Sequence, residues 1–260
     1  MGVSVVFDGV GRSFGTTTAL TRVDLSLAPG SFTAIVGPSG CGKSSLLNIA
    51  AGLDRDHSGE TLIDGTRVLG PRKKTGFIFQ DAALLPWRTV LDNAAFALEA
   101  NRVPKERRRQ VAIDMLRRVG LADFSQHYPH QLSGGMRQRA AIARVLSTEP
   151  NLILADEPFG ALDEQTRTIL GFELLRIAHQ NDATVIFVTH SIQEAVLLSD
   201  RVIVLSARPG EVRLDLSIDL PAQRDPTLLG EKQAAQYVEK IWKIIKVESE
   251  SALAQQAAAA

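Results

Sequence analysis

Apolar positions along this chain follow two periods that alternate. Short β-rich stretches come first: VSVVF (3–7), LTRVDLSL (20–27) with in-out alternation, and FTAIVG (32–37). The third is apolar at nearly every position, the pattern of a strand covered on both faces. KSSLLNIAAGL (43–53) predicts a helix, stopped by Gly52 and the polar DRDHSG turn. TLIDG (61–65) and GFIFQ (76–80) predict two further strands.

Residues 84–147 change to helical spacing. LDNAAFALEA, KERRRQVAIDMLRRVGL and GGMRQRAAIARVL all carry apolar residues at that spacing. In the second, Val111, Met115, Leu116 and Val119 share a face, with the arginines largely opposite. Strands return with LILAD (152–156), TVIFVTH (184–190) and RVIVLS (201–206), separated by the helical EQTRTILGFELLRIAHQ and SIQEAVLLSD. Strand–helix alternation predicts a largely parallel α/β sheet, with the helical block as an insertion. VRLDLSIDLP (212–221) alternates as one strand, and 227–247 predicts an amphipathic helix. The alanine-rich end, 251–260, offers nothing for a core and predicts a disordered, fraying tail.

Composition narrows the class only slightly. The chain has 260 residues, 45% hydrophobic and 22% charged, as an ordinary globular protein does. Lys plus Arg equals Asp plus Glu at 29 each, so no net field favours a nucleic-acid partner. One cysteine, Cys41, excludes an intrachain disulfide and fits a reducing compartment. No apolar run reaches the length of a membrane span, and MGVSVVFDGV lacks the features of a signal peptide. The expectation is a soluble chain that can still dock on a membrane protein.

The chemistry is in the strand ends. Gly37, Pro38, Ser39, Gly40, Cys41, Gly42, Lys43 and Ser44 fit G-x-x-x-x-G-K-[ST] between an apolar strand and a helix. Glycines let successive backbone N–H groups turn inward around a polyphosphate, and the next helix N-terminus adds its dipole. Lys43 would reach the β- and γ-phosphates and Ser44 would ligate magnesium. The same dipole and Lys43 would lower the Cys41 pKa, making a thiol that bound ATP shields. LILAD ends in Asp156, a candidate magnesium ligand, followed by Glu157, a candidate base for the attacking water. His190 ends another apolar strand level with Glu157 and is a candidate γ-phosphate contact. Gln80 ends GFIFQ, where it could ligate magnesium and report the γ-phosphate to the helical block. A second glycine pair occurs in Leu132, Ser133, Gly134, Gly135 and Met136, ahead of another helix, and could form a second anion nest.

Together these residues resemble the ATP-binding cassette (ABC) ATPases, over about residues 3–206 and in that family's motif order. GPSGCGKS resembles the Walker A motif, Gln80 the Q-loop, LSGGM the signature and LILADE the Walker B motif with its glutamate. Gly160 to Asp163 resembles the D-loop and His190 the switch histidine. Phe14, 23 positions before Gly37, matches the aromatic that stacks on adenine, and Ser45 stands where Thr is commoner. The signature ends in Met136 where Gln is usual.

The resemblance implies an α/β phosphate-loop NTPase (RecA-like) core over 1–83 and 148–210, with an N-terminal antiparallel β subdomain. It also implies an all-helical subdomain over 84–147, followed by a C-terminal extension over 211–250. It implies a magnesium-dependent ATPase in which Lys43, Gln80, Glu157 and His190 act on ATP. Ser133, Gly134, Gly135, Met136 and Asp163 of one copy would contact the ATP held by another, in a head-to-tail homodimer or a pair with a paralogous ATPase. The stretch FSQHYPHQ before the signature is importer-like. FQDAALLPWRTVLDNAAFALE and Arg224-Asp225-Pro226 resemble the nitrate, sulfonate and taurine importer group. That group implies permease subunits docked at Leu84, Leu85, Pro86 and Trp87, a solute-binding protein reached through them, and a place at the cytoplasmic face of the membrane. A soluble ABC ATPase without a permease, or a nucleotide-binding regulator that does not turn over, is the alternative.

Overall fold

The computed structural model describes residues 1–221 and 223–259, with side chains as far as Ala252. Two sheets share the molecule. The first is antiparallel and made of β1 (Val5–Phe14), β2 (Thr17–Leu27), β4 (Ser58–Ile63) and β5 (Thr66–Arg67) in the order β2-β1-β4-β5. The second contains β3 (Phe32–Val36), β6 (Thr75–Ile78), β7 (Leu152–Asp156), β8 (Thr184–Val188), β9 (Arg201–Leu205) and β10 (Val212–Ser217). Its order is β10-β9-β3-β8-β7-β6, parallel throughout except for the antiparallel edge pair β10–β9.

The central strands have apolar side chains on both faces because both faces are covered. Val185 and Phe187 join Phe32 and Phe159 on one side, against the helices; Ile186 and Val188 face the other way. The second side holds α1 (Lys43–Ala50) and the inner face of the antiparallel sheet, through Leu46, Leu47, Phe7 and Leu25. Every residue of β3, β7 and β8 is buried, so their apolar runs have no polar phase to display.

The helical segment forms α2 (Val90–Ala100), α3 (Lys105–Arg118) and α4 (Gly134–Leu146). Met115, Leu116 and Val119 are buried as the apolar stripe predicts, although Ala112 rather than Val111 completes that face. Helices α5 (Glu164–Gln180) and α6 (Ile192–Leu198) return the chain between strands.

The boundaries shift where caps and turns decide them. β1 runs on to Phe14 through irregular register, well past the expected VSVVF. α1 ends at Ala50, with Gly52 in a left-handed turn beyond it. The C-terminal helix, α7 (Lys232–Ala259), starts later than expected because Pro226–Gly230 forms a 3-10 turn first. The tail expected to fray over 251–260 instead continues α7 to Ala259. Alanine has the highest helix propensity, and a helix already nucleated adds residues cheaply. Ala260 lies outside the described residues.

Thr184 joins the start of the chain to the central sheet. Its fully buried hydroxyl donates to the Val3 carbonyl at 2.6 Å and accepts the Val3 and Gly30 N–H groups, both at 3.0 Å. Thr184→Val keeps the volume and leaves those backbone groups unpaired. The expected cost is about 1–3 kcal/mol, seen as a lower urea midpoint at unchanged slope.

Candidate functional site

The parallel register aligns the strand ends: Val36 lies opposite Val204, Ile35 opposite Val188, Val188 opposite Asp156, and Ala155 opposite Ile78. The segments that follow β9, β3, β8, β7 and β6 therefore emerge along one edge. In that order they carry Arg208, the glycine-rich loop, His190, Glu157 and Gln80. These residues, with Ser39, Gly40, Gly42, Lys43, Ser44 and Ser45, line one cavity of about 600 Å³. Phe14, Thr17 and Ala19 of the antiparallel sheet form its far wall.

The loop needs glycine where its backbone passes close to β2. Gly42, the N-cap of α1, has φ 95°, and a Cβ there would sit 2.5 Å from Leu20 Cδ2. The buried Lys43 ammonium donates to the Gly37 and Pro38 carbonyls at 2.8 and 2.9 Å. Pro38 and Ser39 complete the turn, and Ser45 lies one position further along α1.

Glu157 holds a backbone φ of 46°, unusual for a residue with a side chain, while its N–H donates to Val188 O at 3.0 Å. That conformation puts its carboxylate between two partners. His190 Nε2 is 2.5 Å from Oε1, and Gln80 Nε2 donates to Oε2 at 3.4 Å. The structure thus gathers Gln80, Glu157 and His190 around one carboxylate. His190 and Gln80 each sit two residues beyond their strands, not at the ends as expected.

Asp156 is the deeper acid. Its Oδ1 is buried without a hydrogen-bond partner. Burial pushes its carboxyl up and Glu157 adds to that, while the Ser44 hydroxyl, Lys43 and His190 pull it down. An orphaned carboxylate oxygen beside a hydroxyl fits a hard cation such as magnesium. Among the described residues no three His, Cys, Asp or Glu side chains form a metal cage. Magnesium here would hold mainly phosphate and water oxygens, its usual habit.

The second glycine pair lies elsewhere. Ser133 is the N-cap of α4 and its Oγ accepts the Met136 N–H at 3.2 Å, while the Gly134 and Gly135 N–H groups begin the helix with no intrahelical partner. With Asp163 they line a separate cavity of about 330 Å³ that shares no residue with the first. Asp163 itself caps α5, accepting the Thr166 N–H at 2.9 Å, and that bond holds its carboxyl below the usual range. Met136 is half-buried against the core.

Phe14 is exposed at the end of β1, with the Arg12 guanidinium 4.2 Å from its ring centroid. Trp87 is 71% exposed and Pro86 is exposed beside it, but Leu84 and Leu85 are half-buried, Leu84 against the core. The expected apolar patch is therefore mainly Trp87 and Pro86. The turn is shaped by Asn93, a buried residue sequence reasoning passed over. Its amide oxygen accepts the Leu85 N–H, and its nitrogen donates to the Leu85, Arg88 and Thr89 carbonyls.

Comparison with known proteins places this arrangement. A family model described as ABC transporter matches residues 20–160. The chain belongs to the ABC transporter ATP-binding family. It is 49% identical over 230 residues to an uncharacterized ABC transporter ATP-binding protein of Methanocaldococcus jannaschii, covering 88% of this chain and 85% of that one. It is 48% identical over 216 residues to an aliphatic sulfonates import ATP-binding protein, SsuB 1, of Xanthomonas axonopodis pv. citri, covering 83% and 86%. A solved dimeric ATP-binding cassette in a post-hydrolysis state with ADP and Pi superposes with TM-score 0.76 at 35% identity. That match covers 84% of this chain and all of the other. This chain is accordingly an ABC ATPase subunit that binds ATP and hydrolyses it in the service of transport.

Cys41 departs from expectation. It is fully buried, and burial pushes the thiol up despite the opposing pull of Lys43. A raised thiol stays protonated at neutral pH, so it is a poor nucleophile. Iodoacetamide should label Cys41 slowly in the folded, nucleotide-free ABC subunit and rapidly after denaturation. Fast labelling of the folded chain would contradict this burial.

Proposed function

We propose that this chain is the energy-coupling ATPase of an importer for a small anion such as nitrate, a sulfonate or taurine. It works as a head-to-tail dimer, of two copies or with a paralogue, docked on permease subunits at the cytoplasmic face of the membrane. A solute-binding protein supplies the permease. The observation that carries this reading is the separation of the two anion sites: the phosphate loop and Ser133–Met136 line different cavities of one chain. A second copy, two-fold related, supplies the missing half to each. The dimeric state of the solved cassettes and the sulfonate-import names of relatives support it. No helix among the described residues is long and apolar enough to cross a membrane, which suits a peripheral subunit.

In this scheme residues 1–83 and 148–210 hold the nucleotide, 84–147 carry the docking turn and the signature, and 211–250 form an extension. Phe14 offers its free face to the adenine. The N–H groups from Ser39 to Ser45 cradle the phosphates and Lys43 moves from its loop carbonyls to the β- and γ-phosphates. Ser44, Asp156 and Gln80 would hold magnesium, which when bound would supply charge neutralisation at the phosphate oxygens. Glu157 takes the proton of the attacking water, and His190 fixes that carboxylate and contacts the γ-phosphate. Ser133, Gly134, Gly135 and Met136 of the other copy close on the γ-phosphate, with its Asp163 nearby. Closure draws the paired chains together and moves the docked permease; phosphate release reopens them.

The Glu157→Gln protein should bind ATP and dimerise, while hydrolysis in the reconstituted complex falls by about a hundredfold or more. Full turnover would remove Glu157 from the base role. Affinity capture from the native membrane should retrieve a permease with this chain. Trp87→Ala should reduce that capture about tenfold without changing the melting temperature. If no permease is captured with the native chain, the transport assignment fails.

A further inference from the structure

The turn after β9 takes no part in the scheme above, yet it forms a wall of the nucleotide cavity. It is closed on itself: Ser206 N–H donates to Glu211 O at 2.9 Å, and the Ser206 hydroxyl donates to Pro209 O and accepts the Glu211 N–H, both at 2.8 Å. It is also fastened on both sides. Gly210 N–H donates to Ala19 O at 2.8 Å and Thr21 N–H to Gly210 O at 3.2 Å, joining it to β2. A Cβ on Gly210 would lie 2.0 Å from Cys41 O, so the turn and the phosphate loop touch backbone to backbone. The turn thus presents Arg208 over the phosphate loop, where Nε donates to Gly40 O at 3.2 Å. Among the described residues the terminal nitrogens of Arg208 donate to no protein group, and no carboxylate pairs with it. It lines the same cavity as Lys43 and Ser44.

The C-terminal helix holds this turn. Glu248 of α7 accepts the Ala207 N–H through Oε2 at 2.8 Å, and its Oε1 pairs with Arg213 Nε at 3.2 Å. Its side chain is 16% exposed, shielded enough for these bonds to fix the residue next to Arg208.

We infer that Arg208 is a further nucleotide-contacting residue, a second cation that pairs with the phosphates of a nucleoside di- or triphosphate. Glu248 is its positioning residue, so the extension sets nucleotide affinity from outside the cavity. A cationic fork without a carboxylate partner, held beside a loop built for anions, is matched by phosphate oxygens. The inference rests on ATP binding in this cavity.

The test is equilibrium titration of the full chain with ATP and with ADP, at low and high salt. Arg208→Gln should weaken both about five- to tenfold, Arg208→Lys should recover at least half of that loss on a logarithmic scale, and high salt should shrink the difference. Glu248→Ala should weaken binding about two- to fourfold in the native background and add nothing to Arg208→Gln. If Glu248→Ala does not fold by thermal melting, Glu248→Gln, which removes the charge, takes its place. An Arg208→Gln affinity within twofold of native, or equal losses for Gln and Lys, overturns the contact. An equal Glu248 effect with and without Arg208 overturns the positioning. Native chain that fails to bind ATP in the same titration would instead overturn the nucleotide reading on which the inference rests.

Discussion

A parallel sheet delivers every strand's carboxyl end to the same edge, and the candidate site depends on that constraint. Four ladders in register bring the ends of β9, β3, β8, β7 and β6 level. Helical crossovers return the chain to the far edge each time, so each strand supplies one more segment to the same cavity. The burial of β3, β7 and β8 on both faces makes this edge stiff. Phe187, in contact with both Phe32 and Phe159 at ring-centroid distances of 5.8 Å, ties the segment after β7 to the strands beneath it. Polar groups can then stand at short distances without collapsing, because their backbones are set by the core.

The charges at that edge are arranged in opposition. Lys43 and the first turn of α1 favour anions, and Asp156 and Glu157 favour cations a few residues away in space. Asp156 lies deep enough that burial raises its carboxyl, with Lys43 and Ser44 pulling against it. Glu157 meets His190 and Gln80 instead. Each acid is thereby set apart by its surroundings, although they are consecutive in sequence. Separation of this kind needs a backbone turn between them, and the left-handed φ of Glu157 supplies it.

Much of this was legible in the sequence because the edge is built from contiguous motifs. The apolar runs before Gly37, Asp156 and His190 marked strands, and position near a strand end marked Lys43, Gln80, Glu157 and His190, which share one cavity. What stayed hidden is non-local or depends on burial. Arg208 also follows a parallel strand, so the same rule could have found it, but nothing beside it in sequence is polar in a recognisable pattern. Asn93 looks like an ordinary helix residue until its four bonds to the preceding turn are seen. Cys41 shows the reverse error. Its neighbours in sequence argue for a lowered thiol, but enclosure by the core outweighs them.

Helix α4 shows how two distant parts of one chain can act together. Its N-terminus carries Ser133 to Met136, the half-site proposed for the other copy. One turn in, the buried Gln138 donates to Phe79 O at 3.0 Å, directly before Gln80. Further along, Arg144 donates to the Ala83 and Ala82 carbonyls at 2.8 and 3.0 Å, directly before the turn that carries Trp87. Burial costs Arg144 part of its solvation and lowers its pKa, so these carbonyls are its compensation and the contact is not readily exchanged for water. The backbone on either side of Gln80, at Phe79, Ala82 and Ala83, is thus bonded to the same helix that bears the glycine pair. On the proposed reading, a displacement of Gln80 by the γ-phosphate cannot be confined to the cavity. On that reading α4 carries it towards the surface proposed for the second copy and the surface proposed for the permease. Coupling then needs no long-range pathway, only a helix bonded to that segment at two positions, Gln138 and Arg144.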